Sequence, residues 1–246
     1  MNRSPLCAFL LIPFVLACFA LSPQARADCQ EGCDTVNFNT FLGEDALLDH
    51  TGVSNTAVGW HALKNNSNTL ANTAIGAGAL ENNGSYDNTA SGASALGDNT
   101  GGHDNTATGS SALSLNTTGS DNTATGFSAL GTNTTGNFNV ANGMWALFEN
   151  KTGAKNTATG YGALFNTTGK LNIALGFNAG GNLTTGNHNI DIGNPGVAGE
   201  GNTIRIGATQ SATFISGISG VTVGNRCSSY RRRRRSSWYD HILCTL

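Results

Sequence analysis

The chain has 246 residues, of which 39% are hydrophobic, 11% are charged and 33 are glycine. It carries too little charge for a typical disordered chain and too much glycine for a helical one, which favours extended structure. The formal net charge of −2 hides an asymmetry: residues 28–225 hold 14 acidic against 5 basic side chains, whereas residues 226–246 hold six Arg and one Asp. An acidic body argues against a nucleic-acid partner, and the basic end needs a separate explanation.

Taken in chain order, residues 1–27 read as a secretory signal peptide. Arg3 supplies the basic start, residues 6–21 form an apolar run, and Ala25-Arg26-Ala27 fits the small-x-small rule for cleavage, placing the mature start at Asp28. A lipoprotein-type cut before Cys18 is poorly served by Leu16. The apolar run falls short of the roughly 20 residues that a spanning helix needs, so no transmembrane segment is expected after signal removal. The expected location is secreted or at the cell surface. Residues 28–38 form a short Cys-containing cap, where Cys29 and Cys33 are expected to close a disulfide in an oxidising compartment. A zinc site is the alternative, and CxxxC without a nearby His is weak support for it.

From Asn39 to about residue 200 the chain repeats every 17, sometimes 16, residues. Clear copies begin at Asn55, Asn72, Asn88, Asn105, Asn122 and Asn156, as in NTATGSSAL and NTATGFSAL. Looser copies begin at Asn39, Asn139, Asn172 and Asn189. The fifth position is Gly in every unit: Gly43, Gly59, Gly76, Gly92, Gly109, Gly126, Gly143, Gly160, Gly176 and Gly193. Such persistence within one chain signals a backbone requirement, either positive φ or an approach too close for a Cβ. A second Gly recurs late in most units (Gly119, Gly136, Gly153, Gly169 and Gly186), which suggests two corners per unit.

Seventeen residues are too few for a helical hairpin and suit one coil of an all-β, parallel β-solenoid or β-roll of about ten coils. Coils stacked at the strand spacing of about 4.8 Å would make a rod on the order of 50 Å long. The leading Asn residues are expected to form a structural ladder of side-chain amides between coils. The third-position Ala residues imply a narrow core.

In an extended strand, neighbouring side chains face opposite sides, so the Ala-Leu pair at positions eight and nine (Ala62-Leu63 to Ala163-Leu164) cannot both point inward. Either that segment is a helical turn or Leu47, Leu63, Leu80, Leu96, Leu113, Leu130, Leu147 and Leu164 form an exposed stripe. Such a stripe would drive self-association, with a homotrimer as the expected assembly.

Chemistry-bearing patterns are sparse. The five His residues (His50, His61, His103, His188 and His241) share no ligand spacing and read as solvated or loop-borne. No nucleophile elbow, phosphate-binding loop or HExxH motif stands apart from the repeat, so a non-enzymatic protein without a cofactor is expected. Asp87, Asp104 and Asp121 each precede the next unit's Asn. Stacked carboxylates would repel one another by roughly 1 kcal/mol per pair in water, so this edge is either a weak Ca²⁺ site or merely solvated. Trp60, Phe127, Trp145 and Tyr161 follow the recurring Gly and are candidates for partner contact.

The alternation of NTAxG with GxxAL over roughly residues 39–207 resembles the head repeats of trimeric autotransporter adhesins. It also resembles tail-fibre-like surface proteins of bacteria and phages. In those, NTAxGxxALxxNTTG arrays precede NTIRIG and SATFISGISGVTV, which stand here at residues 202–207 and 211–223. The resemblance implies a left-handed parallel β-roll and three associated chains. It also implies a C-terminal self-cleaving chaperone domain, which is expected to be missing from this chain.

Residues 201–225 are expected to form a terminal β segment. The basic tail, 226–246, reads as a frameshift product, because permitted codons in the next frame can spell a β-type continuation. The functional expectation is a secreted or surface adhesin-like repeat protein recognising an unidentified host or matrix ligand. The alternatives are an architectural spacer that has lost its terminal domain and, further off, a carbohydrate-cleaving solenoid.

Overall fold

The computed structural model describes residues 31–34, 36–48, 51–66, 69–211, 228–234 and 237–243. The signal-peptide reading, the Cys29–Cys33 pairing and the continuation at 212–227 lie outside the described residues. Two compact units divide near residue 208.

The first unit is a β-solenoid of about ten coils, and no helix occurs among its described residues. Each coil contributes one short strand to a continuous sheet: β2 (Asn39–Leu42), β3 (Thr56–Val58), β4 (Thr73–Ile75), β5 (Thr89–Ser91), β6 (Thr106–Thr108), β7 (Thr123–Thr125), β8 (Val140–Asn142), β9 (Thr157–Thr159), β10 (Ile173–Leu175), β11 (Ile190–Ile192) and β12 (Ile204–Ile206). All neighbours in this series are parallel and in register, for example Ala107 with Ala124 and Ala141 with Ala158. Ahead of them β1 (Glu31–Asp34) pairs antiparallel with β2 and closes that end of the sheet. In the second unit β13 (Ser228–Arg234) and β14 (Ser237–Leu243) form an antiparallel hairpin.

The third-position Ala residues line the core: Ala57, Ala74, Ala90, Ala107, Ala124, Ala141 and Ala158 are fully buried. The Leu reading needs correction. Leu47 through Leu164 are also fully buried within one chain, so they form no surface stripe. Nor is their segment a helical turn. Position seven and the Leu at position nine both adopt the left-handed conformation, as in Ser111 (φ 57°) and Leu113 (φ 52°), on either side of an Ala without positive φ. That alternation swings consecutive Ala and Leu to the same side, where the inside-outside rule for extended strands does not apply. A left-handed β-carbon costs about 1–2 kcal/mol, offset here by burial of an entire Leu side chain in each coil.

The two recurrent glycines answer different demands. Gly109 has φ +127°, and a Cβ there would lie 2.6 Å from the Gly126 carbonyl oxygen of the next coil. Strain and close approach coincide. Gly119 has no positive φ; a Cβ there would lie 2.5 Å from both the Gly136 carbonyl oxygen and the Asn116 side chain, so only space forbids it.

Candidate functional surface

The leading Asn residues form the expected ladder. The Asn122 backbone N–H donates to Asn105 Oδ1 (3.1 Å), while its Nδ2 donates to the same oxygen and to the Gly136 carbonyl (2.8 Å). The backbone contact recurs from Asn55 and Asn72 through Asn88, Asn105, Asn139 and Asn156 to Asn189. Each amide therefore satisfies backbone groups that a three-residue strand leaves unpaired at its corner.

A second buried ladder, which the sequence reading missed, runs eleven residues behind the first: Asn66, Asn83, Asn99, Asn116, Asn133 and Asn150. Asn116 Nδ2 donates to Asn99 Oδ1 at 2.8 Å and to the Gly119 carbonyl at 2.8 Å. Asn116 and Asn133 head NTTG segments, which was the available signal, although Asn166 of a third such segment lies one residue off the ladder position and these segments read as corners. Units of 16 residues shorten between this Asn and the next leading Asn, five residues from Asn83 to Asn88 against six from Asn99 to Asn105. Both ladders thus survive the change in length. The second ladder's amide-to-amide bonds run from Asn66 to Asn133; Asn150 Nδ2 donates only to the Gly153 carbonyl, Thr167 stands at the next position, and the Oδ1 atoms of Asn133 and Asn150 have no donor.

The outward side of the sheet is the most uniform exposed surface. Positions two and four of every coil face away from the core, as the exposed-buried-exposed pattern of β6, β7, β8 and β10 records. Over β2–β12 these positions carry only Thr, Ser, Asn, Val, Leu and Ile, with no charge. Thr dominates the middle coils; the last three strands present Ile173, Leu175, Ile190, Ile192, Ile204 and Ile206, most of them 38–66% exposed.

The turn face differs between its two halves. Near the start, His61 Nδ1 lies 3.1 Å from Glu81 and its Nε2 lies 3.3 Å from Asp45, which also binds Lys64 at 2.8 Å. The Lys64 hydrogen bond chiefly holds the Asp45 carboxyl below its usual range. His61 is therefore held in a polar cluster with Asp45, Lys64 and Glu81, stacked under the exposed Trp60, rather than a solvated loop residue. Farther along, Phe127, Trp145, Tyr161 and Phe177 contact one another in series, joined by Phe148 and Phe165. Tyr161 and Phe177 are nearly parallel with centroids 5.2 Å apart, so the rings stack along the coil axis. This arrangement joins neighbouring coils, while Phe177, Phe127 and Tyr161 remain well exposed.

Asp87, Asp104 and Asp121 stand at successive left-handed corners, exposed, with Asp104 turned to His103 at 2.8 Å. Among the described residues no group of three His, Cys, Asp or Glu is placed to hold a metal ion, so these carboxylates do not converge on one.

At the far end, the Ala ladder position is taken by Asp191, which is buried with both carboxylate oxygens unpartnered. Burial, with Glu200 adding and Arg205 opposing, pushes its pKa up to about 6. Arg205 grips Glu200 through two nitrogens at 2.7–3.0 Å and holds that carboxyl below its usual range.

No helix among the described residues is long and apolar enough to cross a membrane. No family model, curated protein or solved structure matches the chain.

Proposed function

We propose that this chain is a secreted or surface-exposed, non-enzymatic structural repeat module that works as an adhesin-like rod and self-associates through the outward side of its sheet. The observation that carries this reading is the uncharged strip of positions two and four. It runs about 50 Å at a strand spacing of about 4.8 Å and ends in six Ile and Leu side chains. Contiguous exposed apolar surface of this kind marks interaction sites on soluble proteins. A homotrimer is the assembly that the resemblance to adhesin heads implies, with the sheet face in place of the Leu stripe first considered. Repeated weak contacts along an oligomeric rod would supply avidity rather than one deep pocket.

The test is binding of the exported full chain to immobilised matrix proteins and cell surfaces, compared with an Ile173→Lys, Ile190→Lys variant. Saturable binding by the wild type, weakened in the variant because avidity is lost, is the expected result. Equal, non-saturable retention of both would contradict the adhesive reading.

A further inference from the structure

The last two coils depart from the repeat in a coordinated way. Where earlier coils place Ala, β11 places Asp191, in register between Ala174 of β10 and Arg205 of β12. A carboxymethyl side chain needs more room than a methyl group, and the neighbouring ladders supply it. The Leu ladder ends at Leu164 and continues as Gly180, while the Ala before it continues from Ala179 to Gly196. A Cβ on Gly196 would lie 3.2 Å from Asp191 Oδ2, and one on Gly180 would lie 3.4 Å from the same atom. Leu183 moves into the core where earlier coils place the second Asn, and it lies against Gly196. The carboxylate is thus seated among glycine and aliphatic groups that offer it no hydrogen bond.

Over this seat lies the only ion pair found at this end among the described residues. Glu200 is fixed from two sides: its carboxylate accepts from Arg205 and from the Val197 N–H (2.9 Å), and its backbone carbonyl accepts from Asn189 Nδ2 (2.9 Å). The residues around Glu200 therefore close the Asn ladder and the Ala ladder at once. This final coil is also the shortest, since Thr203 takes the place of the next Asn fourteen residues after Asn189.

We propose that Asp191, Glu200 and Arg205 form a proton-operated latch on the last coil: closed when the Asp191 carboxyl is neutral, and loosened when it is charged. A neutral carboxyl in this seat lacks only hydrogen bonds, whereas a carboxylate there is an unpaired buried charge. Its one cation within reach, Arg205, is already committed to Glu200, and drawing Arg205 away would release the closing loop. The groups facing Asp191 are Glu200 from that loop and Arg205 from β12; β10 and the turn at 178–183 present no titratable side chain.

The direction follows from linkage. Because the folded-state pKa stands near 6, above the ordinary value of 3.8, the latch contributes fully below about pH 4, weakens as pH rises toward 6 and changes little beyond. Two pKa units correspond to about a 100-fold rise in the opening constant over that interval.

Hydrogen exchange of the full chain, read by mass spectrometry at pH 4, 5, 6 and 7 as protection relative to an unstructured peptide, tests this. The reporting amides are Ile190, bonded to the Thr203 carbonyl, and Gly207, bonded to the Ile192 carbonyl. The expected result is a fall in protection approaching 100-fold at residues 190–207 between pH 4 and 6, with coils 105–139 unchanged, and no such fall in Asp191→Asn. Asp191→Ala, which restores the ladder residue, provides the same pH-independent control should the Asn variant loosen the coil at every pH. Either variant leaves His188 in place, so a dependence that persists in both belongs to another group and overturns the latch. Flat protection in the wild type, or a change shared equally by all coils, also overturns it.

Discussion

The middle coils, residues 72–164, and the last two, residues 172–207, are built from the same unit but differ in how tightly each position is specified. In the middle, each fifth-position Gly lies against the next coil's backbone, both Asn ladders largely run, and Ala and Leu alternate without interruption. At the end, Gly193 has φ +58° with nothing within 4 Å of a Cβ, the second ladder has become Thr167 and then Leu183, and a carboxylate occupies the core. In the middle each position stacks between two like neighbours, whereas near the end Asp191 stacks between two unlike ones, Ala174 and Arg205. The end can therefore accommodate polar chemistry that would disrupt the interior.

The largest effect should separate the two glycines. Gly109→Ala combines a strained φ with a backbone clash and is expected to destabilise by about 3 kcal/mol or more, while Gly193→Ala costs about 1–2 kcal/mol from its left-handed conformation alone. Chemical denaturation followed by circular dichroism measures both.

Core truncation comes next. Leu113→Ala should destabilise by about 4 kcal/mol and Leu183→Ala by about 2 kcal/mol, because the glycine turn at Gly196 beside Leu183 can relax into a cavity more readily than the regular Ala and Leu stack around Leu113. Equal losses would remove the distinction between the regions.

Asn122→Ala leaves the Asn139 backbone N–H and the Gly136 carbonyl without their partners, and about 2–3 kcal/mol is expected. The same change at Asn189, whose amide reaches a less buried carbonyl, should cost about 1 kcal/mol.

The smallest effect lies on the turn face. Lys64→Met removes the main group holding the Asp45 carboxyl down, so its titration, followed by NMR, should move up toward the ordinary range. The lowered pKa means that this pair's contribution is present above the ordinary carboxylate range and fades as pH falls through it. An unchanged titration would show that His61 suffices.

The features legible in the sequence were those that every coil must satisfy. Gly at position five and the leading Asn recur because each meets a backbone demand that stacking repeats, and recurrence exposes them without knowledge of the fold. Leu was misplaced because the inside-outside rule assumes an extended chain, and nothing in Ala-Leu announces two left-handed residues around Ala. Gly and Asn adopt that conformation readily, and Leu does so here only because the core rewards it. The second Asn ladder was hidden within a segment whose turn-like composition had already been explained. Asp191 could not be recognised at all, since a single departure from a repeat becomes meaningful only once Gly180 and Gly196 are seen to make room for it.

Self-association through the outward sheet face is tested most directly by the mass of the exported chain in solution, measured by light scattering. A whole-number multiple of the chain mass is predicted, with three copies expected, together with dissociation to a monomer that circular dichroism shows still folded in the Ile173→Lys, Ile190→Lys variant, where Ile173 is exposed and Ile190 half-buried. A wild-type chain that is monomeric throughout the accessible concentration range, or an oligomer indifferent to both lysines, would contradict it.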